Sequence, residues 1–94
     1  MDSKLAKYYK VLSNPVRLQV FIHIADHSVG FAPKIKEESC VSEISRSVGI
    51  PQPTASNHLK VLKKAGLIKS IREGTKCYQY VTKVADGYIR TFDT

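Results

Sequence analysis

Residues 50–68 read IPQPTASNHLKVLKKAGLI. Apolar positions in this stretch recur at helical spacing, and Gly66 is a residue type that ends helices. We therefore expect a helix over residues 53–65, entered through a turn over residues 49–52. The side chains expected to face the core are Ala55, His58 or Leu59, and Leu62.

A shorter helical pattern precedes that turn. Val41, Ile44 and Val48 share one face of residues 40–48, and Gly49 is a favoured residue after a helix end. A short helix, a glycine-containing turn and a longer helix make up a helix-turn-helix, whose second helix enters the major groove of DNA. The order of these elements predicts that the longer helix is a DNA recognition helix.

The first third of the chain predicts two further helices. The first covers residues 3–12. A second is expected from Pro15, N-capped by Asn14, to near His27, because these residue types are favoured at those two positions. Residues 28–38, which contain a glycine and a proline, are expected to form a loop. The side chains of the second helix expected to face inward are Leu18, Phe21, Ile22 and Ala25.

After residue 66 the apolar pattern changes from helical to alternating. Strands are expected over residues 67–71 and 76–81, joined by a turn that contains Gly74. Thr82 is expected to cap a last helix. The order helix, helix, helix, turn, helix, hairpin, helix predicts a winged helix-turn-helix. This is a mostly α fold with a small β-hairpin (α+β), formed by a single domain over residues 1–94.

The charge distribution indicates a polyanionic partner. The 94 residues contain 15 Lys and Arg against 8 Asp and Glu, a net charge of +7. Between residues 46 and 76 there are seven basic residues and one acid, Glu73, so this segment contributes +6. A merely solvated helix face usually interleaves acids at i,i+4 spacing, and this segment does not. The sequence therefore favours double-stranded DNA as the partner.

The candidate DNA contacts lie on the recognition helix and in the hairpin. Gln and Asn side chains pair bidentately with adenine, Ser and Thr donate or accept, and Lys and Arg neutralise phosphates. An arginine at a hairpin tip also suits a narrow minor groove. The predicted contacts are Gln52, Pro53, Thr54, Ser56, Asn57, Lys60, Lys64, Arg72 and Lys76.

Three ordered motifs resemble the ArsR-type repressors of bacteria and archaea. Residues 12–18, LSNPVRL, are similar to the family opening L-x-[DN]-P-x-R-L. Residues 50–68 are similar to L-S-Q-S-T-V-S-H-H-L-K-V-L-R-E-A-G-L-V, and residues 72–80 resemble the family wing, R-R-E-G…V-Y-Y. The resemblance covers roughly residues 5–81.

This resemblance implies a homodimeric transcriptional regulator, usually a repressor that an effector releases from an inverted-repeat operator. It places the base-reading positions at Gln52, Pro53, Ser56 and Asn57. Pro53 stands where the family usually has a serine, and Pro51 stands where it has an N-capping serine. The operator sequence of relatives therefore does not carry over. The free backbone N–H groups at the start of the helix also need a hydrogen-bond partner other than a capping serine.

Two apolar stripes, one near each end of the chain, are more than one small domain is expected to bury. Both contain tyrosine, which suits an interface with a hydrated rim, although both stripes can instead complete the monomer core. We expect the terminal helices to form a two-fold dimer, with half-sites about 34–36 Å apart. The predicted interface residues are Leu5, Tyr8, Tyr9, Leu12, Val84, Tyr88, Ile89 and Phe92.

Many proteins of the resembled family sense metals or metalloids through thiols, in a motif similar to E-x-C-V-C-D-L. Residues 38–44, ESCVSEI, keep Cys40 but have Ser42 in place of the second thiol. Soft-metal sites need several ligands. The other common site of the family pairs Asp with His on the last helix, and residues 83–94 contain no histidine. We therefore expect neither a metal site nor a cofactor, and Cys40 is only a weak metal-site candidate.

The remaining cysteine and histidine positions allow two further interpretations. Cys40 and Cys77 can form a redox pair, but each is expected to be a buried, unreactive thiol. His23 and His27 have the i,i+4 spacing of a metal-chelating pair, although such a pair is more often structural.

Other protein classes are disfavoured. The sequence has no Gly-rich phosphate loop, no H-E-x-x-H and no G-x-S-x-G, so no enzyme is expected. The apolar run over residues 20–22 is far too short to span a membrane, and the first residues carry no signal-peptide pattern, so a cytoplasmic location is expected. Two alternatives stay open. One is a winged-helix module that binds protein or RNA, and the other is a repressor that senses soft metals or thiol reagents through Cys40.

Overall fold

The structure, a computed structural model, describes residues 3–29 and 32–82. Two antiparallel hairpins and five helical segments follow one another along these residues. The elements are α1 (Ser3–Leu12), α2 (Pro15–Asp26), β1 (Ser28–Val29), β2 (Ala32–Pro33), a 3₁₀-helix (Lys36–Ser39), α3 (Val41–Val48), α4 (Gln52–Lys64), β3 (Ile68–Glu73) and β4 (Lys76–Val81).

This order confirms the predicted winged helix-turn-helix. The observed α3 and α4 differ from the predicted helices only by single residues at their boundaries. In the wing, Glu73 pairs with Lys76 and Ile68 pairs with Val81, so the turn consists of Gly74 and Thr75 alone. The predicted last helix lies outside the described residues. No described helix is long and apolar enough to cross a membrane.

The predicted loop over residues 28–38 was wrong in part. The chain forms the β1–β2 hairpin here and then the 3₁₀-helix, and the backbone N–H of Lys34 donates to the His27 carbonyl over 2.7 Å. Ser28 ties the hairpin to its surroundings, since its hydroxyl donates to the Ile24 carbonyl and accepts from the N–H of Val81. Backbone N–H and C=O groups that pack against a core need hydrogen-bond partners of this kind. The glycine and proline content of the segment does not reveal which groups provide these hydrogen bonds.

The core forms where α2, α3, α4 and the wing converge. The inward face of α2 was predicted correctly for Phe21, which is buried, and for Ala25, which packs against the core, but wrongly for the other two residues. Leu18 and Ile22 are 37% and 48% exposed, whereas Val20 and Ile24 are fully buried. Apolar residues occur all around α2, so its periodicity does not identify the buried face, and packing against α3, α4 and β4 selects it. The buried cluster is Val20, Phe21, Ile24, Ile44, Leu59, Leu62, Ala65, Leu67, Ile68 and Val81.

A glycine fixes the angle between α3 and α4. Gly49 has φ of 79°, a left-handed conformation that favours glycine. The N–H groups of Gly49 and Ile50 both donate to the Ser45 carbonyl, over 2.9 and 3.0 Å. This pair of hydrogen bonds closes the C-terminus of α3 and directs the chain into α4.

The start of α2 provides a stability test. Asn14 caps the helix, with its Oδ1 accepting from the Arg17 N–H over 3.0 Å. Asn14→Ala removes this acceptor, and we expect the free energy of unfolding in urea to fall by about 1 kcal/mol. Asn14→Ser keeps an oxygen acceptor and should retain most of the stability. Equal losses in the two variants would contradict a capping role.

Candidate nucleic-acid interface

The N-terminus of α4 exposes few backbone donors. Pro51 is its N-cap and makes no side-chain cap bond, and Pro53 is its second residue. Proline has no N–H, so only Gln52 and Thr54 carry backbone donors in the four positions that precede the first helical hydrogen bonds. These two N–H groups lie at the positive end of the helix dipole, where a phosphate oxygen is favoured.

The outer face of α4 presents most of the predicted contacts to solvent. Ala55, Leu59 and Leu62 are buried, so the opposite face of the helix is turned outward. Thr54 and Ser56 are partly buried at the edge of this face. The exposed predicted contacts on α4 are Gln52, Pro53, Asn57, Lys60 and Lys64.

The charged side chains of α4 are all positive. The sequence of α4 contains no acid, and within the described residues none of its three lysines pairs with a carboxylate. Glu73, the one acid between residues 46 and 76, forms an ion pair with Lys36 of the 3₁₀-helix. The Glu73 carboxylate raises the pKa of Lys36 above its ordinary value through this hydrogen bond and its charge. The positive charge of α4 therefore stays available to a ligand.

The wing tip carries two further basic side chains, and one of them, Lys76, lines the same crevice as Lys60 and Lys63 of α4. Arg72 and Lys76 are exposed on either side of the hairpin turn, and the Arg72 Nε donates to the Gly74 carbonyl over 3.3 Å. The base of the wing is fixed, because the Thr82 hydroxyl donates to the Gly66 carbonyl over 2.7 Å and the Thr82 N–H donates to the Leu67 carbonyl. A fixed base holds the basic tip at a set position relative to the helix.

The predicted dimer residues divide into three groups. Tyr8 and Leu12 on α1 are partly buried and pack against the monomer core. Tyr9 is 44% exposed. The side chain of Leu5 and the residues Val84, Tyr88, Ile89 and Phe92 lie outside the described part of the chain.

Comparison with known proteins agrees with this geometry. Residues 35–70 match the family described as bacterial regulatory protein, arsR family. An uncharacterised HTH-type transcriptional regulator of Methanocaldococcus jannaschii is 35% identical over 78 residues, which cover 83% of this chain and 78% of that protein. The chain belongs to the ArsR family. It is a DNA-binding transcriptional regulator and not an enzyme.

Two solved structures share the fold. One is the homodimeric winged helix-turn-helix DNA-binding domain Mb0332 of Mycobacterium bovis, at 26% identity and a TM-score of 0.75, covering 96% of this chain and 75% of that one. The other is the transcriptional repressor BigR of Xylella fastidiosa, at 26% identity and a TM-score of 0.72, covering 95% of this chain and 82% of that one. The described residues thus form the winged helix-turn-helix of these DNA-binding proteins.

The thiols differ from the expectation that both are buried. Cys40 is partly exposed and Cys77 is exposed. Burial raises the pKa of the Cys40 thiol, but hydrogen bonds from the Ser42 hydroxyl and from backbone N–H groups outweigh burial and leave the pKa below its ordinary value. Within the described residues no group of three or more His, Cys, Asp and Glu side chains is placed to hold a metal ion.

The two histidines of α2 hold the 3₁₀-helix in place. Their rings stack with centroids 4.1 Å apart. His23 Nε2 donates to the Glu38 carbonyl over 3.0 Å, and His27 Nδ1 donates to the His23 carbonyl over 2.7 Å. His27 Nε2 lies 3.3 Å from the Glu38 carboxylate. These contacts agree with a structural role for the pair.

His58 of α4 gives the fold a pH dependence. Burial, and then the charge of Arg17, lower the pKa of its imidazole below the ordinary value. The unfolded chain therefore takes up a proton near pH 6.5 that the folded chain resists, so this contribution to stability is present above about pH 6.5 and is lost as the pH falls. We expect urea titrations between about pH 7.5 and 5 to show a smaller loss of stability in His58→Gln than in the native protein. Parallel curves would contradict this assignment.

Proposed function

We propose that this protein is a homodimeric repressor that binds an inverted-repeat DNA operator through α4 and the wing. The proposal rests above all on the acid-free outer face of α4, whose lysines lack carboxylate partners within the described residues and which lies beside the basic wing tip. The repressor activity is taken from the similarity to BigR, which is a transcriptional repressor. We expect a cytoplasmic location, because that is where its DNA partner lies.

The side chains divide by chemistry into base readers and phosphate contacts. Gln52, Ser56 and Asn57 carry amide or hydroxyl groups that can hydrogen-bond to base edges, and Pro53 can contact a thymine methyl. Thr54 and Gln52 also offer backbone N–H groups to a phosphate. The cationic contacts are Lys60, Lys64 and Lys76 on the backbone and Arg72 on the backbone or in the minor groove.

Dimerisation is needed for useful specificity. One α4 of 13 residues contacts only a half-site, and a two-fold dimer doubles the number of base edges read. We propose that residues 1–94 act as one DNA-binding domain whose terminal helices form the dimer interface, as the homodimeric state of Mb0332 also suggests. The exposed Tyr9, Leu18 and Ile22 place apolar surface on α1 and α2, which is available to such an interface.

Substitutions on α4 test the division between base readers and phosphate contacts. Binding sites selected from a random duplex pool provide the cognate DNA, and fluorescence anisotropy gives the affinities. Asn57→Ala should cost about 1–3 kcal/mol on the selected site and much less on random DNA, because a base contact is lost. Lys64→Ala should weaken both DNAs equally and reduce the slope of log K against log salt by about 0.9.

Lys10→Ala on the exposed surface of α1 is the matched control for lost positive charge. It should leave cognate affinity within the error of measurement. An equal loss on cognate and random DNA for Asn57→Ala would remove Asn57 from the base readers. Preferential binding to single-stranded RNA over the selected duplex would contradict the function itself.

The dimer is tested by sedimentation equilibrium. We expect about twice the 10.5 kDa mass of one chain at micromolar concentration. Tyr88→Glu combined with Phe92→Glu places charge in the apolar sequence stripe and should give folded monomers that lose specific DNA binding. Arg90→Glu changes the net charge by the same amount but lies off that stripe at helical spacing, so it should remain dimeric. A monomeric native protein, or a dimeric double variant, would contradict this interface.

A further inference from the structure

The wing is anchored at its base and extends well beyond that anchor. At the base, the Thr82 hydroxyl donates to the Gly66 carbonyl over 2.7 Å, and the Val81 N–H donates to the Ser28 hydroxyl over 3.2 Å. Strand β3 (Ile68–Glu73) then advances about 17 Å at the usual rise per residue. A two-stranded hairpin is only marginally stable by itself, so the position of its tip depends on contact with another element.

The 3₁₀-helix provides such a contact through the side chain of Lys36. Its ammonium group donates to the Glu73 carboxylate at the end of β3. The same nitrogen lies over the Tyr78 ring of β4, 6.0 Å from the ring centre, where the aromatic face attracts a cation. Among the ion pairs of the described residues, Lys36–Glu73 is the one that joins the wing to another element. One lysine therefore contacts both strands near the tip.

Lys36 contacts the wing on the face opposite to Arg72. Glu73 pairs across the hairpin with Lys76, and Tyr78 is two residues further along β4, so Glu73 and Tyr78 share a face. Arg72 precedes Glu73 on β3, and successive side chains of a strand point to opposite faces. Lys36 can therefore fix the tip of the hairpin without covering the guanidinium that is proposed to meet DNA.

The 3₁₀-helix is itself fixed to α2. His23 Nε2 donates to the Glu38 carbonyl over 3.0 Å, and His27 Nε2 lies 3.3 Å from the Glu38 carboxylate. Ser39, the last residue of the 3₁₀-helix, is fully buried. The backbone position of Lys36 is thus set by the body of the domain, and its side chain fixes the wing tip relative to that body.

We propose that Lys36 is a positioning residue for DNA recognition, which sets where Arg72 meets the duplex and thereby which base pairs the wing discriminates. The inference rests on the proposed function, in which the wing contacts DNA. Groups that recognise a ligand have to be held within about 0.5 Å of their productive geometry, and an arginine in a narrow minor groove is such a group. Because an exposed ion pair contributes little to folding stability, loss of Lys36 should alter recognition and leave the fold intact.

The first measurement uses the free protein. Backbone order parameters for residues 72–76 come from ¹⁵N relaxation of the full chain. Lys36→Met keeps an apolar stem but removes the charge, and Glu73→Gln removes the charge of its partner, so both should lower these values from about 0.85 toward about 0.6. Lys36→Arg keeps a cationic donor and should retain the native values. Lys34→Met, the same substitution at a neighbouring exposed lysine, should also retain them.

The second measurement determines the DNA preference one base pair at a time. Duplexes that differ from the selected site by single base pairs give a discrimination factor for each position, and Arg72→Ala identifies the positions that depend on the wing. At those positions Lys36→Met and Glu73→Gln should each lower the discrimination about fivefold, the factor expected for one net hydrogen bond. At positions that depend on Asn57, both variants should match the native protein, and Lys34→Met should match it at all positions.

The opposite charge changes of the two variants separate positioning from a simple charge effect. Lys36→Met lowers the net charge by one and Glu73→Gln raises it by one, so the first should bind random DNA more weakly and the second more tightly. A loss of discrimination in both variants, despite these opposite effects, indicates that the contact between the two side chains is what recognition requires. The double variant should regain native affinity for random DNA without regaining discrimination.

Three results would overturn the proposal: unchanged order parameters in Lys36→Met, unchanged discrimination at the wing-dependent positions, or discrimination that falls in Lys36→Met and rises in Glu73→Gln. Arg72→Ala distinguishes this failure from failure of the proposed function. If Arg72→Ala alters no position of the duplex, the proposed wing contact with DNA is itself wrong, and the role of Lys36 in recognition is wrong with it.

Discussion

The orientation of α4 depends on one apolar contact region, where Ile24 of α2, Ile44 of α3 and Leu62 of α4 meet without access to solvent. Burial of each such side chain contributes about 1.5–3 kcal/mol, which is a large share of the stability of a domain this small. Gly49 adds the directional constraint, because its left-handed backbone turns the chain from α3 into α4. Because these two features fix how α4 packs, its polar face is turned toward solvent.

The positive potential around α4 follows from that packing. The 3₁₀-helix is held to α2 by the histidine pair and to the wing by the Lys36–Glu73 ion pair. Because Glu73 is engaged there, it does not neutralise the lysines of α4. An exposed ion pair contributes little to stability. Its consequence here is electrostatic, since it leaves the face of α4 and the wing tip with an uncompensated positive potential.

The same arrangement creates the crevice beside the recognition helix. Lys60, Lys63 and Lys76 line this crevice, which lies between the first residues of α3, the side of α4 and β4, so its positive field adds to that of the outer face of α4.

The helix-turn-helix, the wing and the basic face of α4 could all be predicted from the amino-acid sequence. These features rest on local properties: helical and alternating periodicity, the cap at Asn14, the turn at Gly49, and a charge pattern that can be counted directly. The two prolines at the start of α4 are also evident in the sequence. Which backbone N–H groups stay free there depends on the residue at which the helix begins, and the structure shows that residue.

Three features became clear only from the packed structure: which face of α2 is buried, the hairpin and 3₁₀-helix within residues 28–39, and the exposure of both thiols. It alone brought Cys40, Lys63 and Gln79 to one crevice. Each of these outcomes depends on contacts between segments distant in sequence. α2 carries apolar residues on all sides, so its orientation is set by its neighbours. The environment of Gln79 is likewise set by α3 and α4, and no pattern within β4 contains that information.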